Sequence, residues 1–253
     1  QGGNHRRINP VATLFVSDLH LDPARPATTA LFLDFLARQA RQAEACYILG
    51  DLFEAWIGDD DDTELGRVVV NALRSLADSG VPVYFLHGNR DFLIGPHFAS
   101  ESGIQLLPET EVIDLYGEPV LLLHGDTLCT DDVDYQAFRA QVRNPVWQAR
   151  LLEQPLAQRR ALAGQLRETS RQALQQKATD ITDVNPAAVN QALRAHGVRR
   201  MIHGHTHRPA IHEWTLDELP VRRAVLGDWY VQGSVLRCDE AGWCLEPLAL
   251  SIG

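Results

Sequence analysis

Along the chain, short apolar runs alternate with longer amphipathic ones. Ala12 to Val16, Cys46 to Leu49, Val83 to Leu86 and Val120 to Leu123 are continuous apolar stretches, and Thr28 to Arg41 and Thr63 to Ala77 carry helical spacing between them. Such a pattern predicts strands linked by helices, with the strands buried on both faces. Each apolar run ends in a polar cluster: Ser17-Asp18-Leu19-His20, Gly50-Asp51, His87-Gly88-Asn89-Arg90-Asp91 and His124-Gly125-Asp126. In α/β sheets ligands bind just beyond the carboxyl ends of strands, so all these groups are expected on one rim.

After Asp126 the pattern changes. From Asp131 to about Asp183 the chain is rich in Arg, Gln, Ala and Leu and holds one glycine, Gly164, which predicts several helices broken near Pro145 and Pro155. The strand pattern resumes at Val198 to Ile202, followed by His203-Gly204-His205-Thr206-His207, and the segment from Arg222 onward reads as strands. The expected organisation is one α/β domain over residues 11–253, interrupted by a helical cap at about 131–183. Residues 1–10, opening on an appended-looking Gln1-Gly2-Gly3, are expected to be a tail outside the fold.

Charge refines this picture. The formal net charge is −10, so no general attraction to nucleic acid is expected. The cap is the exception: between Arg139 and Lys177 eight basic residues stand against two acidic ones, Glu153 and Glu168. Cys46, Cys129, Cys238 and Cys244 are scattered, with no closely spaced pair to make a zinc or redox motif, and read as reduced cysteines of a cytosolic protein. No stretch has the run of about 18 to 20 apolar residues that spans a bilayer, so any meeting with a membrane is expected from the side.

The polar clusters are made of metal-ligand residue types. Asp18 and His20 lie two apart at a strand end, where period-2 geometry can send both to one side. Asp51 follows Gly50, and a carboxylate there can bridge two cations about 3.5 to 4 Å apart. Asn89 offers a neutral oxygen beside Arg90. His124, His203 and His205 supply further imidazoles, the last two converging across Gly204. Alone, each has a bland explanation: a solvated loop for Asp18-x-His20, a helix N-cap for Asp51, a turn for Gly88-Asn89, a structural role for any one histidine. Together, at predicted strand ends of one domain, they point to a dinuclear hydrolytic site acting on phosphate esters or anhydrides.

These blocks resemble the calcineurin-like metallophosphoesterases, which implies a two-sheet sandwich flanked by helices. Longer runs are similar to the UDP-2,3-diacylglucosamine hydrolases of bacterial lipid A synthesis: Ser17 to Leu21, Ile48 to Asp60, His87 to Gly95, Leu115 to Asp126, Ile202 to Ala210 and Leu226 to Trp229. That resemblance implies two divalent ions, typically Mn²⁺, one held by Asp18, His20 and His205 and the other by Asn89, His124 and His203, with Asp51 bridging. It implies cleavage of the pyrophosphate of UDP-2,3-diacylglucosamine at the α-phosphorus, giving UMP and the monophosphate lipid X. Asp51, Asn89, Arg90 and His124 would be catalytic. Asn89, Arg90, Asp132, Ser170, Lys177 and His203 would contact substrate. The cap would cover an acyl-chain pocket, and the protein would sit at the cytoplasmic face of the inner membrane against anionic lipid.

Many members of the wider superfamily carry a histidine after the asparagine, where Arg90 stands here. Arginine has no lone pair to act as a base, so its expected work is electrostatic. A departing phosphate monoester needs little protonation, and the missing histidine therefore favours an anhydride over an alkyl diester. The competing expectations are another dinuclear phosphodiesterase, phosphatase or nuclease of the superfamily, or a binding module that kept the fold and lost catalysis. The acidic charge weighs against a nuclease, and the full set of seven candidate ligands against a dead scaffold.

Overall fold

The computed structural model describes residues 11–176 and 181–249. Strands β1 (Thr13–Val16), β2 (Ala45–Ile48), β3 (Val83–Phe85) and the short β4 (Gln105–Leu106) run parallel. They are joined through helices α1 (Pro26–Arg38), α2 (Glu64–Asp78) and α3 (Pro96–Ser102). A second sheet begins with β5 (Thr110–Leu115) and β6 (Glu118–Leu123). Three helices follow, α4 (Val133–Val142), α5 (Pro145–Leu152) and α6 (Leu156–Gln176), then α7 (Pro186–His196), β7 (Arg200–His203), β8 (Ala210–Leu216) and β9 (Leu219–Val225). Strands β10 (Gly233–Asp239) and β11 (Gly242–Leu248) return to the first sheet, giving the orders β11-β10-β1-β2-β3-β4 and β5-β6-β7-β9-β8.

Strand alternation separates three cores. On β1, Leu14 and Val16 face the helices and pack with Phe32 and Phe35 of α1, while Phe15 faces the other sheet. On β6, Val120 and Leu122 face inward against Phe15, Tyr47 and Leu236, and Leu121 and Leu123 face outward onto Val189 and Leu193 of α7. The result is helix, sheet, sheet, helix. Both sheets have apolar residues on each face, which explains the continuous apolar runs of β1, β2 and β6.

Elements absent from the sequence expectation have physical reasons for being hard to see. Strand β8 joins β9 through Asp217 and Glu218, both with positive φ (51° and 63°), a hairpin turn without the Asn-Gly or Asp-Gly signal. Strand β5 is mostly half-exposed, and β4 is two exposed residues. Helix α7 is a short, separate element after the cap, capped by Asn185, whose side chain accepts from the amides of Ala187 and Ala188. Pro145 begins α5 and Pro155 precedes α6, which are the two expected breaks. Among the described residues, no helix is long and apolar enough to cross a membrane.

Candidate active site

Five strands deliver side chains to one rim. Asp18 follows β1, Asp51 follows β2, Asn89 and Arg90 follow β3, His124 follows β6, and His205 and His207 follow β7. The connecting loops interlock through backbone hydrogen bonds between segments far apart in sequence: Asp18 N to Gly50 O (3.1 Å), His20 N to Asp51 O (2.9 Å), Gly204 N to His124 O (2.8 Å) and Trp229 N to Asp18 O (3.1 Å). Close approach requires the glycines. A Cβ on Gly88 would fall 2.0 Å from Asp51 Oδ1, and one on Gly204 would fall 2.2 Å from Asp18 Oδ2. Asp18, His20, Asp51, His205 and His207 all have φ between 48° and 69°, the left-handed conformation that non-glycine residues adopt at a cost and that clusters at functional sites.

Two groups of donor atoms result. In one, Asp18 Oδ1 lies 3.3 Å from His207 Nε2 and 3.9 Å from His20 Nε2, and the two imidazole nitrogens are 3.3 Å apart. In the other, Asn89 Oδ1 lies 3.0 Å from His124 Nε2 and 2.9 Å from His205 Nδ1. Asp51 Oδ2 stands between them, 3.7 Å from His20 Nε2 and 3.6 Å from His124 Nε2.

The surroundings orient these groups. His124 Nδ1 donates to Leu49 O (2.8 Å), which turns Nε2 toward Asn89 and Asp51. His20 Nδ1 is 3.1 Å from Glu54 Oε2. The Tyr230 ring stacks on His20 at 5.2 Å between centroids, with the Arg25 guanidinium 4.5 Å from the tyrosine ring. Asp91, fully buried, accepts from the amides of Gly88 (2.9 Å) and Leu52 (2.7 Å) and so braces the loops carrying Asn89 and Asp51. Burial alone would raise the Asp18 pKa, but His207, His124 and His20 hold it well below the usual carboxylate range. Burial and the nearby His124 push His205 down to about 4, so it is a neutral imidazole, the form that ligates metals.

The arrangement fits a cation better than it fits a hydrogen-bonded core. Asp18 Oδ1 is buried with no well-formed hydrogen bond. Around Asp51 Oδ2, lone pairs of carboxylate, amide and imidazole converge with too few protons to satisfy them, which is costly unless a positive charge sits among them. Carboxylate, amide oxygen and imidazole together suit divalent first-row metals.

His203 does not join either group. It is the last residue of β7, on the face shared with Met201, which packs against α7, whereas Ile202 faces the inter-sheet core. Its Nδ1 donates to Gly204 O (2.8 Å) and its Nε2 is 3.5 Å from Arg223 of β9. Burial and that guanidinium push it down to about 3. The sequence expectation of His203 as ligand and substrate contact is therefore corrected: His205 stands with Asn89 and His124, and His207, outside that expectation, stands with Asp18 and His20. Other residues missed are Glu54, Arg25 and Tyr230, for which no spacing signal exists.

The rim opens into a cavity of about 540 Å³. Its wall includes the polar His20, Asp51, Asn89, His205 and His207 and the apolar Trp56, Phe92, Trp147, Leu151, Leu162 and Leu166, most of the apolar ones from the cap. Arg90 is also part of the wall. Its amide donates to Asp51 Oδ1 (2.8 Å), and its buried Nε has no hydrogen-bond partner. Asp132 and Ser170 also line the cavity, Asp132 while capping α4 through the Tyr135 amide (3.1 Å). Lys177 lies outside the described residues. Beneath the rim, Asp126 accepts from Tyr135 Oη (2.9 Å) and Arg139 Nε (2.7 Å), tying the cap to the His124 loop.

A two-layered sandwich with this donor arrangement at its strand ends defines a metallophosphoesterase, and the family profile of the calcineurin-like phosphoesterases matches residues 12–209. The chain is 56% identical over 246 residues to the UDP-2,3-diacylglucosamine hydrolase of Stenotrophomonas maltophilia (strain K279a), covering 94% of this chain and 99% of that one. It is 56% identical over 247 residues to the enzyme of the same name from Xanthomonas oryzae pv. oryzae (strain PXO99A), covering 95% and 100%. Among solved structures, a phosphoesterase from E. coli, Yfce, aligns over 95% of the chain at 17% identity with a TM-score of 0.48. The chain belongs to the calcineurin-like phosphoesterases and, within them, to the family of the UDP-2,3-diacylglucosamine hydrolases.

Proposed function

We propose that the protein hydrolyses the pyrophosphate bond of UDP-2,3-diacylglucosamine at the α-phosphorus, giving UMP and 2,3-diacylglucosamine 1-phosphate. The observation that carries this reading is the Asp51 carboxylate standing between two donor groups, on the wall of a cavity that is otherwise lined largely by apolar side chains. A generic phosphatase needs the first feature alone; a substrate with a charged head and two acyl chains needs both.

In this reading Asp18, His20 and His207 would hold one divalent ion, Asn89, His124 and His205 the other, and Asp51 would serve both. Divalent ions such as Mn²⁺, which suit this carboxylate, amide and imidazole set, would supply Lewis acidity and a water made nucleophilic near neutral pH. Arg90, whose planar guanidinium matches phosphate geometry, binds and orients the phosphate oxygens and steadies charge as it develops. The water oxygen bonds to the α-phosphorus, the bond from that phosphorus to the bridging oxygen breaks, the electron pair leaves on the sugar 1-phosphate, and the proton lost by the water passes to solvent. That leaving group is a phosphate monoester and needs no side-chain acid, which agrees with Arg90 in the position next to Asn89. Asp132 and Ser170, at the cavity wall, are proposed substrate contacts, and Lys177 a third.

The substrate's acyl chains imply work at a lipid surface. Val133 and Val146, 72% and 59% exposed, and Leu152, 42% exposed, lie on the basic cap, which supports docking of that face against anionic lipid on the cytoplasmic side.

The test is release of UMP from UDP-2,3-diacylglucosamine by metal-stripped protein with and without added Mn²⁺, beside bis(p-nitrophenyl) phosphate. UMP formation that depends on metal, with little diester cleavage, is the expected result. Efficient diester cleavage without UMP would keep the dinuclear site and assign the chain a phosphodiesterase activity instead.

A further inference from the structure

A helix that lies on the rest of a protein ordinarily buries an apolar stripe. Helix α6 does not: among its residues 156–170 the one buried side chain is Arg159, 3% exposed, while Leu156, Leu162, Ala163 and Leu166 are half-buried. The Arg159 guanidinium donates from Nη1 to Ile57 O (2.7 Å) and to Asp60 Oδ1 (2.7 Å), from Nη2 to Asp60 Oδ2, and from Nε to Gln154 O (2.9 Å). Its neighbour Arg160 pairs with Asp61. The receiving loop is shaped for the group, since a Cβ on Gly58 would lie 2.4 Å from Arg159 Nη1.

That loop is rigid on its other side. Asp59 Oδ1 accepts from Gly95 N (3.0 Å) and from Trp56 Nε1 (3.0 Å), and Oδ2 accepts from Phe98 N (2.9 Å), which fastens the loop to the start of α3. The loop is also the direct continuation of the Asp51 to Glu54 segment at the donor groups. It contributes Trp56 and Ile57 to the cavity wall, and α6 contributes Leu162 and Leu166, about one and two turns beyond Arg159. A bidentate arginine–carboxylate contact fixes orientation as well as distance.

We propose that Arg159 is a positioning residue: it clasps α6 to the loop around Asp60 and so sets the spacing between the apolar side chains that the two contribute to the cavity wall, and with it the discrimination among acyl-chain lengths. The second half rests on the substrate reading above; the clasp itself does not.

The experiment uses the full chain with Arg159→Met, which keeps the apolar stem and removes the fork, Arg159→Lys, and Asp60→Asn, which alters a carboxylate that is 60% exposed and leaves the fold in place. Hydrogen exchange is followed by mass spectrometry, and KM and kcat are measured on UDP-diacylglucosamines of graded acyl length. Arg159→Met and Asp60→Asn are expected to speed exchange of amides 156–170 while β1 to β3 stay protected. They should raise KM for the longest-chain substrate roughly ten-fold with kcat within about two-fold, and flatten the dependence on chain length. Arg159→Lys, a point charge without the fork, should fall between. Unchanged exchange over 156–170 in both fork-removing variants overturns the clasp, whatever the substrate is. Faster exchange with an unaltered chain-length profile overturns the link to acyl recognition, and a uniform fall in kcat at every length would mark a merely structural arginine.

Discussion

Whether an imidazole of the run from His203 to His207 reaches the donor groups depends on whether its residue still belongs to β7. His203 is paired in the ladder with Val225 and points to the α7 side, where Arg223 faces it. His205 and His207 lie past the strand, with φ of 69° and 55°, and turn back over the rim. The guanidinium beside His203 repels any cation there and favours a neutral ring. His207→Ala is accordingly expected to bind one metal ion fewer than the unaltered chain and to lower turnover by about 100-fold or more, as loss of a ligand costs at least what loss of a supporting residue does. His203→Ala should keep the metal stoichiometry and lose about 2 kcal/mol of stability through the vacated buried volume. Elemental analysis, UMP release and urea unfolding of the two variants decide this; loss of metal in His203→Ala with retention in His207→Ala would sink the assignment.

At the scale of elements, the rim and the cap are held by different means. The rim loops are fixed by backbone hydrogen bonds between segments far apart in sequence, and by glycines that let those segments touch. The cap is fixed by charged contacts: Arg139 to Asp126 and Glu109, Arg143 to Gly88 O (2.9 Å), and Arg159 to Asp60. Several of the basic residues that give the cap its charge thus face the protein. What the cap turns outward includes Val133 and Val146. If these meet lipid, the protein pelleted with phosphatidylglycerol vesicles at low salt should bind less at high salt, and Val133→Asp with Val146→Asp should abolish pelleting while leaving turnover of detergent-dispersed substrate within about two-fold. Pelleting that survives both changes would remove these residues from any membrane contact.

At the scale of the molecule, the site joins two sheets that pack face to face. Asp18, Asp51 and Asn89 come from the first sheet and His124, His205 and His207 from the second. Metal held between them would crosslink the sandwich and favour the folded state, where the donors converge. Mn²⁺ at about a hundred times its dissociation constant should add about 2.7 kcal/mol, or roughly 5 to 10 °C in the melting temperature of a domain of this size. Chelation should reverse the shift and Asp51→Asn should blunt it. A melting curve insensitive to Mn²⁺ at concentrations that restore activity would argue against this bridging arrangement.

The sequence by itself determined the succession of buried strands and helices, the polar residue at each strand end, and the helical character and broken start of the cap, because apolar period and proline placement are local properties. It also determined the chemical class, since Asp18-x-His20, Asp51, Asn89 and His124 are placed by the strands they follow. Only the tertiary structure decided that β7 ends at His203, so that His205 and His207 reach the rim. Only the tertiary structure revealed Glu54 and Tyr230 beside His20, the hairpin at Asp217-Glu218, and Arg159 buried where a leucine would be expected. Each of these depends on what stands opposite a residue in space, and for Arg159 the decisive partner is 99 positions away, a separation no local periodicity encodes.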